Sequence, residues 1–235
     1  ADAAAAAGDQ PFVRAGANLT DAQKTRVKEI NAEMATLTTQ FSQNVLAEVN
    51  DSAVIVSDRA ELAGLSDEQI AVLAKSAEEK GMPGKYRIAL LNTTGQPLLP
   101  QLDNRALRER LHKASVARGS RGNAYDNRAI VSRVTKLRAE RAAIMGYSSY
   151  AGFGLAEETA KNPEAVNAML AKLAPAAVAN ARKEGAVLQA MIDQEQKAKK
   201  QPTFALEPWD WAYYTEKVRK AQYDFDENQL KPYLE

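Results

Sequence analysis

Residues 20–50 read TDAQKTRVKEINAEMATLTTQFSQNVLAEVN. Within them Val27, Ile30, Met34, Leu37 and Phe41 recur at alternating spacings of three and four, which puts all five on one stripe of an α-helix. Val45 and Val49 extend the stripe after a change of phase. Thr20 and Gln23 stand three apart at its start, the arrangement of a capping box. Such a helix is roughly 45 Å long at about 1.5 Å per residue. Its stripe needs partner helices to leave water, so the expected fold class is all-α, built mainly from long helices.

The residues downstream interrupt that pattern once. Ala53–Val56 is a strand candidate, Ser66 and Gln69 cap a helix carrying Ile70, Leu73, Ala74 and Ala77, and Tyr86–Leu91 is a second strand. Residues 53–91 are therefore expected to hold a small strand-helix-strand insertion, a two-stranded β element that leans on the helical body. Helical periodicity returns from Asn104 to Gly119 and again from Asp126 or Asn127 to Gly146. A short aromatic helix follows from Ser148 to about Thr159, and Asn162-Pro163 opens another with proline at its first position. Pro175 is expected to break or kink that helix, because it removes a backbone donor. Helix then resumes to about Lys197. Residues 196–206 are polar at their start and read as a mobile linker, after which Asp210 is expected to cap a substantial helix and Asp226 a short one. No repeat of fixed period is present, so residues 1–235 read as one helical segment.

Composition agrees with helices and excludes several chemistries. Of 235 residues 44 are alanine, which enters a helix at the lowest entropic cost. The 31 basic and 30 acidic residues nearly cancel. There is no cysteine, which excludes disulfide scaffolds, thiol catalysis and thiolate-bound metal. The single histidine, His112, lies in Arg110-Leu111-His112-Lys113-Ala114, where a His-Glu-x-x-His zinc helix would need Glu at 113 and His at 116 in place of Lys113 and Val116. His112 therefore reads as a structural or surface residue. No apolar run approaches the roughly 18–20 residues of a membrane span. The start, Ala1-Asp2-Ala3, has no features of a signal peptide, and both ends read as cut. Cysteine-free composition suits cytoplasm and periplasm alike; the cytoplasm is expected, with the periplasm as the alternative.

No other motif assembles a catalytic centre. Glu78-Glu79 and Glu157-Glu158 are sequence neighbours, which splay apart on a helix instead of converging, and read as solvated faces. Gly152-Phe153-Gly154 follows no strand and lacks the third glycine of a dinucleotide fingerprint; its glycines are expected to permit close helix packing. There is neither a Gly-x-Ser-x-Gly elbow nor a Gly-Lys-Ser/Thr loop. Asn18, Asn50 and Asn92 open Asn-x-Ser/Thr triplets, a pattern too short to carry weight.

Two clusters stand out. Residues 105–141 contain eleven basic side chains (Arg105, Arg108, Arg110, Lys113, Arg118, Arg121, Arg128, Arg133, Lys136, Arg138 and Arg141) against Glu109, Asp126 and Glu140. They admit three readings: phosphate contacts in a helical nucleic-acid- or protein-binding module, the wall of a cleft for an anionic ligand, or ion pairs between helices. Trp209, Trp211, Tyr213 and Tyr214 surround Asp210, as a stacking platform or as the packing of a helix start.

Several strings in order along the chain resemble the zinc peptidases of the thimet oligopeptidase and peptidyl-dipeptidase family, most nearly its bacterial peptidyl-dipeptidase branch. They are Phe41-Ser42-Gln43-Asn44-Val45-Leu46, Leu91-Asn92-Thr93-Thr94-Gly95-Gln96-Pro97, Asn104-Arg105-Ala106-Leu107-Arg108-Glu109-Arg110 with Lys113-Ala114-Ser115, and Asp126-Asn127-Arg128 with Leu137-Arg138-Ala139-Glu140-Arg141-Ala142. Glu207-Pro208-Trp209-Asp210-Trp211-Ala212-Tyr213-Tyr214 follows, continuing through Lys217-Val218-Arg219 to Phe225–Tyr233. The resemblance implies part of a larger two-lobed helical enzyme with a deep channel, in which Zn2+ and a glutamate activate water against oligopeptides and C-terminal dipeptides are released. The family's His-Glu-x-x-His motif and third zinc ligand lie beyond Tyr233, so no catalytic or metal-binding role passes to any residue here. The segment is expected to bind no cofactor, to be inert alone, and to have as partners the rest of its own chain and, in the whole enzyme, the peptide substrate. Neither nucleic acid nor membrane is expected as a partner, and the substrate-binding residues are left unassigned.

Overall fold

The computed structural model describes residues 12–93 and 95–223. In chain order the elements are α1 (Asp21–Asp51), β1 (Val54–Val56), a 3-10 turn (Arg59–Leu62), α2 (Asp67–Glu78), β2 (Tyr86–Ile88), α3 (Arg105–Ala117), α4 (Arg128–Ile144), α5 (Tyr150–Leu155), α6 (Pro163–Ala198) and α7 (Pro208–Tyr223). This is an all-α fold with one small antiparallel sheet. Two compact units form, one from Ala1–Asn44 and Gly122–Pro175, the other from Val45–Arg121 and Ala176–Glu235.

In the first unit α1 begins as its sequence requires: the Gln23 amide donates to Thr20 Oγ1 (3.3 Å), and the Thr20 amide donates back to Gln23 Oε1 (3.0 Å). Its apolar stripe is buried only at Val27 and Ile30; Met34 and Leu37 are half-buried and Phe41 is exposed. Further along, the buried positions of α1 are the polar residues Asn44 and Glu48. Asn44 can be buried because its carboxamide is satisfied on both sides, donating to Asn127 Oδ1 (2.9 Å) and accepting from Gln40 Nε2 (2.7 Å). The partners of α1 on α4 fall in reverse order, Arg26 with Glu140, Glu33 with Arg133 and Asn44 with Asn127, so the two helices run antiparallel.

The Asp126 carboxylate, rather than the Asn127 side chain, caps α4 by accepting from the Arg128 amide (3.0 Å). Ser149 caps α5. The Asn162 side chain accepts from the Ala165 amide (2.8 Å) at the start of α6, with Pro163 as its first residue. Of the break or kink expected at Pro175, the break does not occur: α6 is continuous over 36 residues. Proline costs one hydrogen bond and a local clash, and here it is flanked by Ala171, Ala174, Ala176 and Ala177, whose helix propensity favours continuity.

The second unit has two apolar clusters. In the first, β1 and β2 pair with Val54 opposite Ile88, Ile55 opposite Arg87 and Val56 opposite Tyr86. Val54, Val56 and Ile88 join Leu62, Leu90, Leu99, Leu102, Leu107 and Leu111 in one core. The ribbon thus leans on helix α3, as so short a sheet must. Strand β2 stops at Ile88, short of Leu91, because Gln96 intercepts the backbone: the Leu91 amide donates to Gln96 Oε1 (3.0 Å) and Gln96 Nε2 donates to the Leu91 carbonyl (3.1 Å). Ser66 and Gln69 form the expected reciprocal capping box of α2.

The second cluster joins α6 to α7 through Leu188, Ile192, Tyr213 and Tyr214, with Phe204 and Leu206 packed against it. Gly185 permits the approach of Trp211, whose ring would stand 3.4 Å from a β-carbon there. Between the helices the Gln189 carboxamide donates to the Phe204 carbonyl (2.9 Å) and accepts from the Leu206 amide (2.7 Å). Helix α7 opens at Pro208, two residues before the expected cap; Asp210 lies in its first turn and accepts from the Glu207 amide (3.2 Å). The helix expected at Asp226 lies outside the described residues.

Candidate functional site

The candidate residues do not converge on a hydrolytic centre. His112, half-buried on α3, packs its ring 6.0 Å from that of Trp209. Among the described residues, no group of three or more His, Cys, Asp or Glu side chains is placed to hold a metal ion. Glu78, Glu79, Glu157 and Glu158 are all exposed, and Glu157 pairs with Arg14 (3.0 Å). Close packing does not account for Gly154, since a β-carbon there would meet nothing within 4 Å; at Gly152 it would meet Ser149 Oγ at 3.4 Å and Tyr147 Cδ1 at 3.9 Å. Phe153 between them is the buried residue, with the Arg14 guanidinium 4.4 Å and that of Arg141 5.4 Å from its ring centre.

Ion pairing and capping absorb most of the 105–141 cations. Arg110 reaches Glu61 (2.6 Å), Lys113 reaches Glu109 (2.5 Å), Arg121 reaches Glu48 (2.5 Å) and Arg133 reaches Glu33 (2.5 Å). Arg128 reaches Asp126 (2.6 Å) and by that hydrogen bond holds its carboxyl far below the usual carboxylate range. Arg118 donates to the backbone carbonyls of Leu91, Thr93 and Ser115. The guanidinium of Arg138 stacks 5.1 Å from the Tyr150 ring centre. Arginine forks matched to carboxylates and carbonyls cap helix ends and fasten neighbouring segments, and the feature that suggested phosphate binding is largely spent on them.

The aromatic cluster resolves into a lock and a cavity, both in the second unit. Asp210 is completely buried and receives Arg105 Nη2 (2.8 Å) and Arg108 Nη2 (2.9 Å) from α3. Tyr213 donates to Asp103 Oδ1 (2.7 Å). Beside this lock lies a cavity of about 700 Å3, lined among others by Arg105, Glu195, Gln196, Lys199, Tyr214 and Lys217. Glu195 holds both lysines, Lys217 at 2.7 Å and Lys199 at its other oxygen. Reading the sequence did not connect Glu195 or Gln196 with Tyr214; helical spacing aligns Ile192 with Gln196, but nothing local says that α7 packs there.

Burial, reinforced by the negative charge of Glu195, pushes the Tyr214 phenol up to about 12. Burial and the hydrogen bond to Asp103 raise Tyr213 further. Free phenols ionise near pH 10, so this stabilising contribution is complete below pH 10 and lost as the pH rises through 12. The denaturation midpoint is expected to fall over that window, and Tyr214→Phe should flatten the fall. An unchanged alkaline profile in Tyr214→Phe would contradict it.

Residues 98–235 match the sequence profile of Peptidase family M3. The chain belongs to peptidase family M3. It is 45% identical to dipeptidyl carboxypeptidase of Escherichia coli over 226 residues, 96% of this chain and 32% of that protein. Identity to dipeptidyl carboxypeptidase of Salmonella typhimurium is 42% over 225 residues, again 96% and 32%. Oligopeptidase A of Haemophilus influenzae is 32% identical over 227 residues, 95% of this chain and 32% of that protein. This M3 chain thus spans about a third of the length of the curated relatives it matches. None of its described helices is long and apolar enough to cross a membrane.

Proposed function

We propose that these 235 residues are a framework segment of a peptidyl-dipeptidase, an enzyme that removes C-terminal dipeptides from oligopeptides. The observation that carries this reading is graded similarity: 45% identity to a dipeptidyl carboxypeptidase against 32% to an oligopeptidase A, over nearly the same stretch. Zinc is the metal of this reading, and the residues present do not fit it. One imidazole packed on an indole, with no acidic cluster beside it among the described residues, offers no coordination set. Zinc and the chemistry it supplies are assigned to residues outside these 235, and the segment is inert alone. Its partners are the rest of its own polypeptide and, in the whole enzyme, the oligopeptide substrate. The compartment proposed is the cytoplasm, with the periplasm as the alternative.

The test is product analysis on the full-length polypeptide. An oligopeptide with a free C-terminus should lose dipeptides in succession from that end, and its C-terminally amidated twin should be cleaved at least about tenfold more slowly. Internal cleavage of both peptides at similar rates would instead place the enzyme with the oligopeptidases.

A further inference from the structure

The cavity beside the Asp210 lock has polar groups in excess of what the described protein satisfies. Gln196 is 92% buried by the fold (8% exposed) and Tyr214 is only 2% exposed, yet neither the Gln196 carboxamide nor the Tyr214 hydroxyl has a hydrogen-bond partner among the described residues. Both side chains line the cavity and their polar atoms open onto it, available to whatever enters.

The groups around them say what kind of partner. Lys199 and Lys217 share the single carboxylate of Glu195, and each ammonium has three N–H donors. Arg105 spends Nε and Nη2 on Asp210, leaving Nη1 without a hydrogen-bond partner among the described residues. Ammonium, guanidinium, phenol and carboxamide donors therefore face one space, whose lining carries the four cations Arg105, Arg108, Lys199 and Lys217 against the carboxylates of Asp103 and Glu195. Donor convergence of this kind recognises oxyanions through charge-assisted hydrogen bonds. A volume of about 700 Å3 exceeds that of a bare ion and falls in the range of sites for small organic ligands.

We propose that this cavity binds a small organic oxyanion, a carboxylate or phosphate ester, between Lys199, Lys217, Tyr214 and Gln196. The site contains no hydrolytic residue and is independent of the peptidase reading. Its test is calorimetric titration of the chain with citrate and with inorganic phosphate, each against sodium chloride at matched ionic strength. Wild type is expected to bind at least one of the two. Lys217→Met should weaken that binding at least about tenfold, the worth of one charge-assisted hydrogen bond, and Tyr214→Phe about threefold or more. Lys199→Met, at a more exposed position, gives the same readout should Lys217→Met fail to fold. Binding of citrate alone assigns a carboxylate ligand, and binding of phosphate alone a phosphate ester. Binding of neither, or affinities in the lysine and tyrosine variants within twofold of wild type, overturns the proposal.

Discussion

Asp210→Ala is expected to lower the free energy of unfolding by about 3–5 kcal/mol, the cost of breaking a buried ion pair from one side. The carboxylate is fully buried and accepts from Arg105, from Arg108 and from the Glu207 amide, tying α7 to α3. Arg108 is itself only 1% exposed. Its Nη1 donates to the Leu102 carbonyl (2.8 Å) and the Asp103 carbonyl (3.1 Å), while its Nε has no hydrogen-bond partner among the described residues. Without Asp210 this guanidinium is left buried with no counterion. Asp210→Asn, which keeps the shape and loses the charge, should cost less. Arg59→Ala, which breaks the exposed Arg59–Asp67 pair, should cost about 1 kcal/mol or less. Urea unfolding of the three variants checks the order; a cost for Asp210→Ala no larger than that for Arg59→Ala would refute the lock.

Gly64→Ala is expected to cost about 3 kcal/mol or more, from backbone strain and steric overlap together. Gly64 has φ +95°, and a β-carbon there would stand 2.0 Å from the carbonyl oxygen of Gln101. That oxygen cannot retreat freely, because the neighbouring Asp103 amide donates to the Ala63 carbonyl (2.9 Å) and holds the two backbones together. Gly81 supplies the control: its φ is also positive (+73°), but a β-carbon would meet nothing within 4 Å. Gly81→Ala should therefore show only the conformational penalty, about 1–2 kcal/mol. Similar losses of thermal stability in the two variants would mean that the close approach at Gly64 is unimportant.

Local chemistry was legible in the sequence at several helix starts. Thr20 with Gln23, Ser66 with Gln69 and Asn162 with Pro163 each mark a helix start through a bond made within three residues, and each start is found where it was read. The pairing of Val54–Val56 with Tyr86–Ile88 follows from two β-rich strings flanking one helix, while its antiparallel sense is seen only in the fold. What escaped depends on distant partners. The stripe of α1 predicts burial at Leu37 and Phe41, but the helix buries Asn44 and Glu48 instead, whose partners Asn127 and Arg121 lie more than seventy residues away. Pro175 predicts a break or a kink, and alanine-rich flanks carry the helix through it unbroken. The +8 segment at 105–141 left ion pairing, a cleft wall and phosphate contacts all open, because its counterions Glu33, Glu48, Glu61 and Asp210 are invisible until the chain folds; the ion pairs are what the fold makes. For the same reason the cavity went unread: Gln196 and Tyr214 are ordinary residues until α6 and α7 pack.

The central claim is that this M3 segment carries framework without the hydrolytic centre. It is tested most directly by incubating the purified 235-residue chain with a fluorogenic oligopeptide and added zinc, with and without a chelator. No cleavage above buffer is predicted under either condition. Cleavage that copurifies with the chain, stops on chelation and returns with zinc would contradict it.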